Sequence, residues 1–217
     1  MPNRTVRRVA IAAAVSAGVA ALSLLINAPG LADASPAPAA TPAARPAVSA
    51  ATTYTVDPVH TAIVFGIEWG EMSPFYGQFN AASGTVTYDG SDPASFACEI
   101  SVAVESVDTH NDQRDRHLKS PDFFNAREFP NITFKSTGLT KGDDGTYTLK
   151  GDLSLHGQTR AVEAKVSKLS AKQMQQAGNR CGFGAELTIK RSDFGVGAPG
   201  GVGDEVRLMI GVQSVAQ

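Results

Sequence analysis

The sequence predicts an all-β protein whose antiparallel strands close into a barrel, and three observations lead to that prediction. Apolar side chains recur at every second position, as Phe65, Ile67 and Trp69 do, which places them on one face of a sheet. Turn-forming pairs such as Asp144-Gly145 separate the alternating stretches. One segment near the middle of the chain loses the alternation and has a composition compatible with a helix.

Three strands are predicted before the helical segment. They cover residues 54–69, 79–88 and 96–104, and a connecting loop is predicted over residues 70–77. Gly84 lies inside the second strand and indicates a β-bulge, because an isolated glycine often marks an irregularity in strand pairing.

A short helical segment is predicted between the third and fourth strands. Residues 108–119 are polar and charged, and Asp115 and Lys119 have the spacing of neighbours on a helix surface. Ser120 and Pro121 then form a start signal for another short helix, with proline in its first turn.

Five further strands are predicted after this segment. Their bounds are residues 132–136, 146–156, 161–169, 182–190 and 205–215. Eight mostly antiparallel strands with one helical excursion favour an eight-stranded, lipocalin-like barrel over a sandwich. A closed barrel of this kind can keep an apolar interior open to a ligand.

A secretory signal is predicted at the start of the chain. The basic pair Arg7 and Arg8 precedes an apolar run over residues 9–26, and small residues follow at 32–34. We therefore expect a signal peptide over residues 1–34. An uncleaved membrane anchor is the alternative, since the apolar run approaches spanning length.

The remainder of the chain is predicted to hold one folded domain. Residues 35–52 are rich in Ala and Pro and poor in charge, so we expect a disordered linker there. Residues 53–217 are long enough to form one domain with its own core. With the signal peptide, this organisation predicts a periplasmic or secreted protein of the bacterial cell envelope.

Several functional classes are not expected. The net charge is −2 and no basic stripe is present, which argues against a nucleic-acid partner. The four histidines His60, His110, His117 and His156 lack the close-spaced pairs of a zinc site. No Gly-x-Ser-x-Gly nucleophile motif occurs. We therefore expect no metal, no cofactor, no catalytic residue and no enzymatic activity.

Two features leave alternatives open. Cys98 and Cys181 are the only cysteines. In an exported protein they could form a disulfide that contributes about 4 kcal/mol, or they could remain as two buried thiols. The glycine-rich residues 195–203 lack the ending of a phosphate-binding loop. They are interpreted as a flexible connection in preference to a mobile flap at a barrel mouth.

Seven short segments, taken in order, carry a resemblance to a known family. They are YTVDPVHT at 54–61, SVDT at 106–109, DRHLKSPDFF at 115–124, FPNITF at 129–134, GDLSLHG at 151–157, KRSDFG at 190–195 and VGDEV at 202–206. Over residues 54–215 the chain resembles the YceI-like family, also called the lipocalin-like polyisoprenoid-binding family. Thr61 departs from the serine that is frequent after the first histidine of the family, and the two cysteines are not part of its pattern.

The resemblance implies a barrel with the helical segment at one opening and a polyprenyl or isoprenoid-quinone chain inside. Apolar enclosure alone can hold such a chain, because each buried CH₂ contributes about 0.8 kcal/mol. The predicted lining is Phe65, Ile67, Trp69, Phe96, Ile100, Val102, Leu149, Leu153, Leu187, Ile189, Leu208 and Ile210, with Phe123 and Phe124 closing or gating one end. The predicted head-group ligands are His60, His156 and Arg191.

The rival prediction is a non-catalytic structural or interaction module of the cell envelope. In that case the same apolar residues fill an ordinary core, as in small barrels without a cavity. Membrane contact for ligand exchange and a homodimer are further expectations on the side of lipid binding.

Overall fold

A computed structural model describes residues 50–197 and 200–217 of the chain. The strands are β1 (Thr52–Val56), β2 (Ala62–Trp69), β3 (Ser73–Phe79), β4 (Ala82–Tyr88), β5 (Ala97–Ala103), β6 (Val107–Asp108), β7 (Asn131–Lys141), β8 (Tyr147–Leu155), β9 (Gln158–Met174), β10 (Gly178–Lys190) and β11 (Val202–Ala216). One α-helix, α1 (Asp112–Lys119), lies between β6 and β7. Short 3₁₀ turns cover Pro93–Ser95, Val104–Ser106 and Arg191–Phe194. The predicted signal peptide and most of the predicted linker lie outside the described residues, while Thr52 at the linker's end already belongs to β1.

The strands close into a barrel because β1 pairs on both of its edges. It pairs antiparallel with β4 on one side and with β11 on the other, so the order β1-β4-β5-β7-β8-β9-β10-β11 returns to its start. The strand β2 pairs with β11 and β3, and β3 pairs with β6. These three strands therefore continue β1, β4 and β5 along the wall after short interruptions. The predicted eight-stranded antiparallel barrel with one short helix is confirmed.

The loop predicted over residues 70–77 is wrong. Gly70 and Glu71 both have left-handed backbone angles, φ 60° and 54°, and the Met72 N–H donates to the Trp69 carbonyl at 3.2 Å. A two-residue turn of this kind matches the twist of the strands that it joins. The chain therefore re-enters the sheet at Ser73, as β3.

Gly84 is required by a close approach of two strands and not by the predicted bulge. The β4–β5 pairing runs through Gly84 opposite Ile100 without a register shift. A Cβ atom on Gly84 would lie 2.0 Å from the Glu99 carbonyl oxygen, and the φ of +139° disfavours any side chain.

The helical segment is shorter than predicted. The helix α1 begins after Asn111, whose side chain accepts a hydrogen bond from the Arg114 N–H at 2.9 Å, as an N-cap does. The further helix predicted from Ser120 is a series of turns, in which the Ser120 carbonyl accepts from the N–H groups of Phe123 and Asn125.

A packed core fills one end of the barrel. Tyr88 and Phe96 pack edge to face at 6.0 Å, and Phe96 packs on Phe183 at 5.4 Å with the rings almost perpendicular. Cys98 and Cys181 are buried in the same cluster. We call these five residues the floor of the barrel.

The replacement Gly84→Ala tests the close approach of β4 and β5. We expect it to lower the free energy of unfolding by at least about 2 kcal/mol, because its methyl group would overlap the Glu99 carbonyl. Denaturant titration measures the change. In the control Gly211→Ala the new methyl group meets no atom within 4 Å. Its stability should stay within about 1 kcal/mol of the wild type, and equal effects of the two replacements would contradict the assignment.

Candidate functional site

A cavity of about 430 Å³ occupies the barrel interior above the floor. Inward-facing side chains of β2, β8, β10 and β11 form most of its wall, and β3, β5, β7, β9 and the helical segment contribute the rest together with Arg191 and Val196. Such a volume lies within the range of about 300–1,000 Å³ that is typical of small-molecule sites. Arg114, His117 and Arg191 are the residues with charged or ionisable side chains in its lining.

All but one of the residues predicted to line the interior do line this cavity. The residues are Phe65, Ile67, Trp69, Ile100, Val102, Phe123, Phe124, Leu149, Leu153, Leu187, Ile189, Leu208 and Ile210. Phe96 is the exception, because it lies in the floor beneath Phe183. The alternation identified the inward face correctly but could not tell which end of each strand meets packed core.

Sequence reasoning missed one stretch of the wall. Phe75 and Phe79 of β3 line the cavity, whereas the sequence predicts a loop over residues 70–77. The period of two continues through Phe75, Gly77 and Phe79, so the signal was present. Ser73 and Pro74 obscured it, since neither is typical of a strand.

Aromatic side chains cross the cavity toward the helical segment. Phe65 and Phe79 have ring centroids 5.7 Å apart, and Phe124 meets Phe79 edge-on at the same distance. Phe123 packs edge-on against the ring of His117 at 4.9 Å. The two phenylalanines that follow α1 therefore cover the open end of the barrel, which we call the mouth.

The helix is fixed to the mouth through Arg114. Its guanidinium lies 4.2 Å from the centre of the Phe75 ring. Nε donates to the Thr109 hydroxyl at 2.8 Å, and Nη2 donates to the Thr109 carbonyl at 2.6 Å. Asp115 accepts from the backbone N–H of Thr109 at 3.0 Å and also from its hydroxyl. Thr109 is buried and thus joins the helix to the end of β6.

Arg191 lines the cavity, but its donors are directed to the backbone. Nε donates to the Gly203 carbonyl at 2.9 Å, Nη1 to Val196 at 2.8 Å and Nη2 to Val202 at 3.1 Å. Its side chain therefore fixes both described ends of the glycine-rich connection to the barrel. The predicted head-group role would require these bonds to be exchanged. Residues 198–199 of the connection lie outside the described residues.

The other two predicted head-group ligands lie away from the cavity. The His156 Nδ1 is 3.2 Å from the Phe194 carbonyl, and its ring packs against Phe129 at 4.8 Å. His156 and Gly157 form the left-handed turn between β8 and β9, so this histidine holds a turn. His60 lies on the outer wall, where its Nδ1 is 2.8 Å from a carboxylate oxygen of Asp57.

Asp57 is the centre of this outer cluster. Arg180 donates to its carboxylate at 2.7 Å, His60 contacts the same oxygen and the Val59 N–H donates to the other oxygen at 3.0 Å. The bond from Arg180, followed by the contact with His60, lowers the pKa of Asp57 to about 2 against the opposing effect of desolvation. The cluster joins residues 57–61, which connect β1 to β2, to Arg180 of β10.

Both cysteines are free thiols in the structure. Burial raises the pKa of Cys98 to about 12 and that of Cys181 to about 11. Both side chains are therefore protonated near neutral pH and are poor nucleophiles. Of the two alternatives for the cysteines, the structure contains the pair of buried thiols.

The fold and the cavity define a closed antiparallel β-barrel with an apolar interior site, the class to which lipocalin-like proteins belong. The chain belongs to the YceI-like family, because the profile of the YceI-like domain matches residues 54–214.

Relatives and solved structures agree with this assignment. Protein YceI of Escherichia coli O17:K52:H18 is 38% identical over 160 residues, covering 73% of this chain and 83% of the relative. The structure of the Campylobacter jejuni YCEI protein is 26% identical with a TM-score of 0.59, covering 67% of this chain and 86% of that protein. A polyisoprenoid-binding domain from Saccharophagus degradans, implicated in plant cell wall breakdown, shares the fold at 16% identity and a TM-score of 0.59. The match covers 76% of this chain and 99% of that domain.

Two features do not occur in the part of the chain that the structure describes. No helix within residues 50–197 and 200–217 is long and apolar enough to span a membrane. In the same residues, no three His, Cys, Asp or Glu side chains come together as metal ligands would.

The replacement Asp57→Asn tests the outer cluster through its pH dependence. The folded-state pKa of about 2 lies below the ordinary value of 3.8, so the carboxylate stabilises the fold fully above pH 3.8 and loses this effect as the pH falls through 2. We expect the variant to have a lower melting temperature than the wild type at pH 7. The difference should shrink between pH 4 and pH 2.

Melting curves over this pH range provide the measurement. Asp143→Asn removes an exposed carboxylate between β7 and β8 and serves as the control, for which we expect little change at any pH. A deficit of Asp57→Asn that stays constant down to pH 2 would contradict the stated cause of the lowered pKa.

Proposed function

We propose that the protein binds an isoprenoid chain, such as a polyprenyl lipid or an isoprenoid quinone, inside its barrel. The observation that carries this proposal is the cavity of about 430 Å³ with its almost continuous apolar wall. A cavity wall made almost entirely of apolar side chains suits a hydrocarbon chain, because such a chain forms no hydrogen bonds. Membership of the YceI-like family, and a shared fold with a solved polyisoprenoid-binding domain, support the same class of ligand.

The binding energy in this proposal comes from removing apolar surface from water. Each methylene equivalent transferred from water into the cavity contributes about 0.8 kcal/mol, so a few isoprene units suffice for a stable complex. The floor sets the depth that the tail reaches, and the head group lies at the mouth. Binding by enclosure alone requires no catalytic group, and we propose a non-catalytic role.

We propose that Arg114 is a head-group ligand that the sequence did not indicate. It lines the cavity, and its Nε and Nη2 are bonded to Thr109. These bonds hold the guanidinium in the cavity lining, and we propose that it also donates to an oxygen of a head group. The site of action is proposed to be outside the cytoplasm, because residues 1–34 have the layout of a secretory signal.

The filled-core alternative has a specific weakness. A structural module would be expected to pack its interior, yet a cavity of about 430 Å³ remains among the buried apolar side chains. A large apolar cavity costs stability when it is empty. Its retention is understandable if a ligand fills it in the cell.

The function is tested with protein purified from its own host. Native mass spectrometry and lipid extraction should show a co-purified isoprenoid. Added isoprenoid quinone should quench the fluorescence of Trp69, which is the only tryptophan and lines the cavity. Absence of both signals would end the proposal.

The replacement Leu153→Trp tests the location of the ligand. Leu153 lines the cavity from β8, and a tryptophan there would occupy part of the space. We expect the isoprenoid content to fall at least about tenfold, equivalent to about 1.4 kcal/mol, with the barrel still folded.

The control uses the next residue of the same strand. Asp152 is exposed on the outer face, so Asp152→Trp adds the same side chain without entering the cavity. The extracted lipid is quantified for both variants, and circular dichroism checks the fold. Equal lipid content in both variants would place the ligand elsewhere.

A further inference from the structure

Two large apolar side chains are exposed next to each other at the mouth. Trp69 is 58% exposed and Met72 is 71% exposed. They flank Gly70 and Glu71 in the β2–β3 turn, and the Met72 N–H donates to the Trp69 carbonyl. We call these four residues the rim turn.

The rim turn is held in place by the opposite side of the mouth. The Gly70 N–H donates to the Gly201 carbonyl at 3.2 Å, and Trp69 pairs with Val202 at the start of β11. Both backbone contacts fix the position of the turn relative to the barrel. The exposure of Trp69 and Met72 is therefore built into the wall.

Trp69 is continuous with the cavity. It lines the interior, as Val202 beside it does, and more than half of its surface is accessible to solvent. Trp69 thus joins the cavity wall to the turn that carries Met72. Other large exposed apolar side chains, such as Met174 and Val59, have no such connection with the cavity lining.

The size and charge of the rim turn indicate its partner. Two adjacent side chains are far smaller than the roughly 800 Å² per partner that a stable protein dimer buries. Glu68 and Glu71 are the charged residues from 68 to 73, so the turn offers no attraction to anionic lipid. Tryptophan is favoured at the interface of a bilayer, where its ring is part apolar and part polar. A neutral phospholipid surface fits this combination.

We propose that the rim turn inserts into the interface of a neutral phospholipid bilayer and holds the barrel mouth against it. This inference rests on the proposed function, since an isoprenoid ligand resides in membranes. With the mouth on the surface, the chain passes from the acyl region over Trp69 into the cavity without crossing water. Met72 anchors the turn but does not line the cavity. A replacement of Met72 can therefore weaken docking without changing the amount of isoprenoid that the barrel binds.

The experiment uses the protein as it is purified from its own host, after processing by that host, with vesicles of dioleoyl phosphatidylcholine. A small fraction of the lipid carries a nitroxide on its head group, which is too polar for the apolar cavity to take in. Trp69, as the only tryptophan, reports the contact of the rim turn with the bilayer specifically. Fluorescence quenching by the labelled vesicles is expected for the wild type.

The matched variants are Met72→Glu and Met174→Glu. Met174 is also an exposed methionine, 45% exposed, but it ends β9 beside Gly178, at the end of β10 opposite to Arg191. We expect Met72→Glu to need roughly tenfold more lipid for the same quenching, because a charge replaces an apolar anchor. Met174→Glu should behave as the wild type.

The outcomes separate this inference from the proposed function. Isoprenoid content is measured on the same preparations by lipid extraction. Retained isoprenoid in Met72→Glu with weakened quenching supports docking through the rim turn. Bound isoprenoid with no quenching in the wild type, or equal quenching in Met72→Glu and the wild type, overturns it and leaves lipid binding standing. No isoprenoid in any variant overturns the lipid-binding function, and the quenching series then still decides docking by itself.

One further measurement tests whether the rim turn joins two copies of the chain. Light scattering gives the mass of the wild type and of Met72→Glu in the absence of lipid. Equal masses agree with a membrane-docking role. A larger mass for the wild type alone would make the rim turn an interface between two copies of the chain and would overturn the proposal.

Discussion

The closure of the barrel along β11 is the constraint on which the other features of this protein depend. Three residue pairs join β11 to β1, from Tyr54 opposite Ala216 to Val56 opposite Ser214, and seven join it to β2, the continuation of β1. They remove the two free edges that an open sheet would present. They also curve the apolar face of every strand toward a common axis, so that the alternation in the sequence becomes an enclosed interior. The pairs with β2 close the wall around the cavity itself, because β2 and β11 both supply lining residues.

The interior combines a packed part and an open part, and different interactions maintain each. Aromatic rings fill the floor, where Phe96 is in contact with both Tyr88 and Phe183. The mouth is organised by two guanidinium groups that bond to backbone carbonyls and to Thr109. Charged hydrogen bonds of this kind are stronger and more directional than apolar contacts. Arg114 and Arg191 can therefore keep the rim of an apolar cavity in shape when no ligand supports it.

Much of the wall could be predicted from the sequence because a strand has one simple period. Residues such as Leu187 and Ile189 follow that period, and both line the cavity. Features that depend on contacts between distant strands could not be predicted in this way. Phe96 has the same pattern as its lining neighbours, and only the position of Phe183 places it in the floor. The hydrogen-bond partners of Arg191 are likewise set by the path of a connection that residue types do not specify.

Gly84 and the turn at Gly70 show the same limit for the backbone. A glycine in a strand can mark a bulge or a close approach, and the approaching Glu99 carbonyl decides between them. The turn at Gly70 was missed because Glu71 adopts a left-handed conformation that is uncommon for a residue with a side chain. For Gly84 the deciding atom belongs to the partner strand, and for the turn at Gly70 the backbone conformation of Glu71 decides. The residue types alone specify neither.

The floor has a consequence for the order of events in ligand exchange. If the barrel holds a lipid chain as proposed, the aromatic rings of the floor leave the mouth as the route by which that chain enters and leaves. A tail that enters first leaves last, and a second chain cannot displace it from behind. Exchange through one opening would be sequential, so the dissociation rate of the bound chain would limit the rate at which the next chain binds.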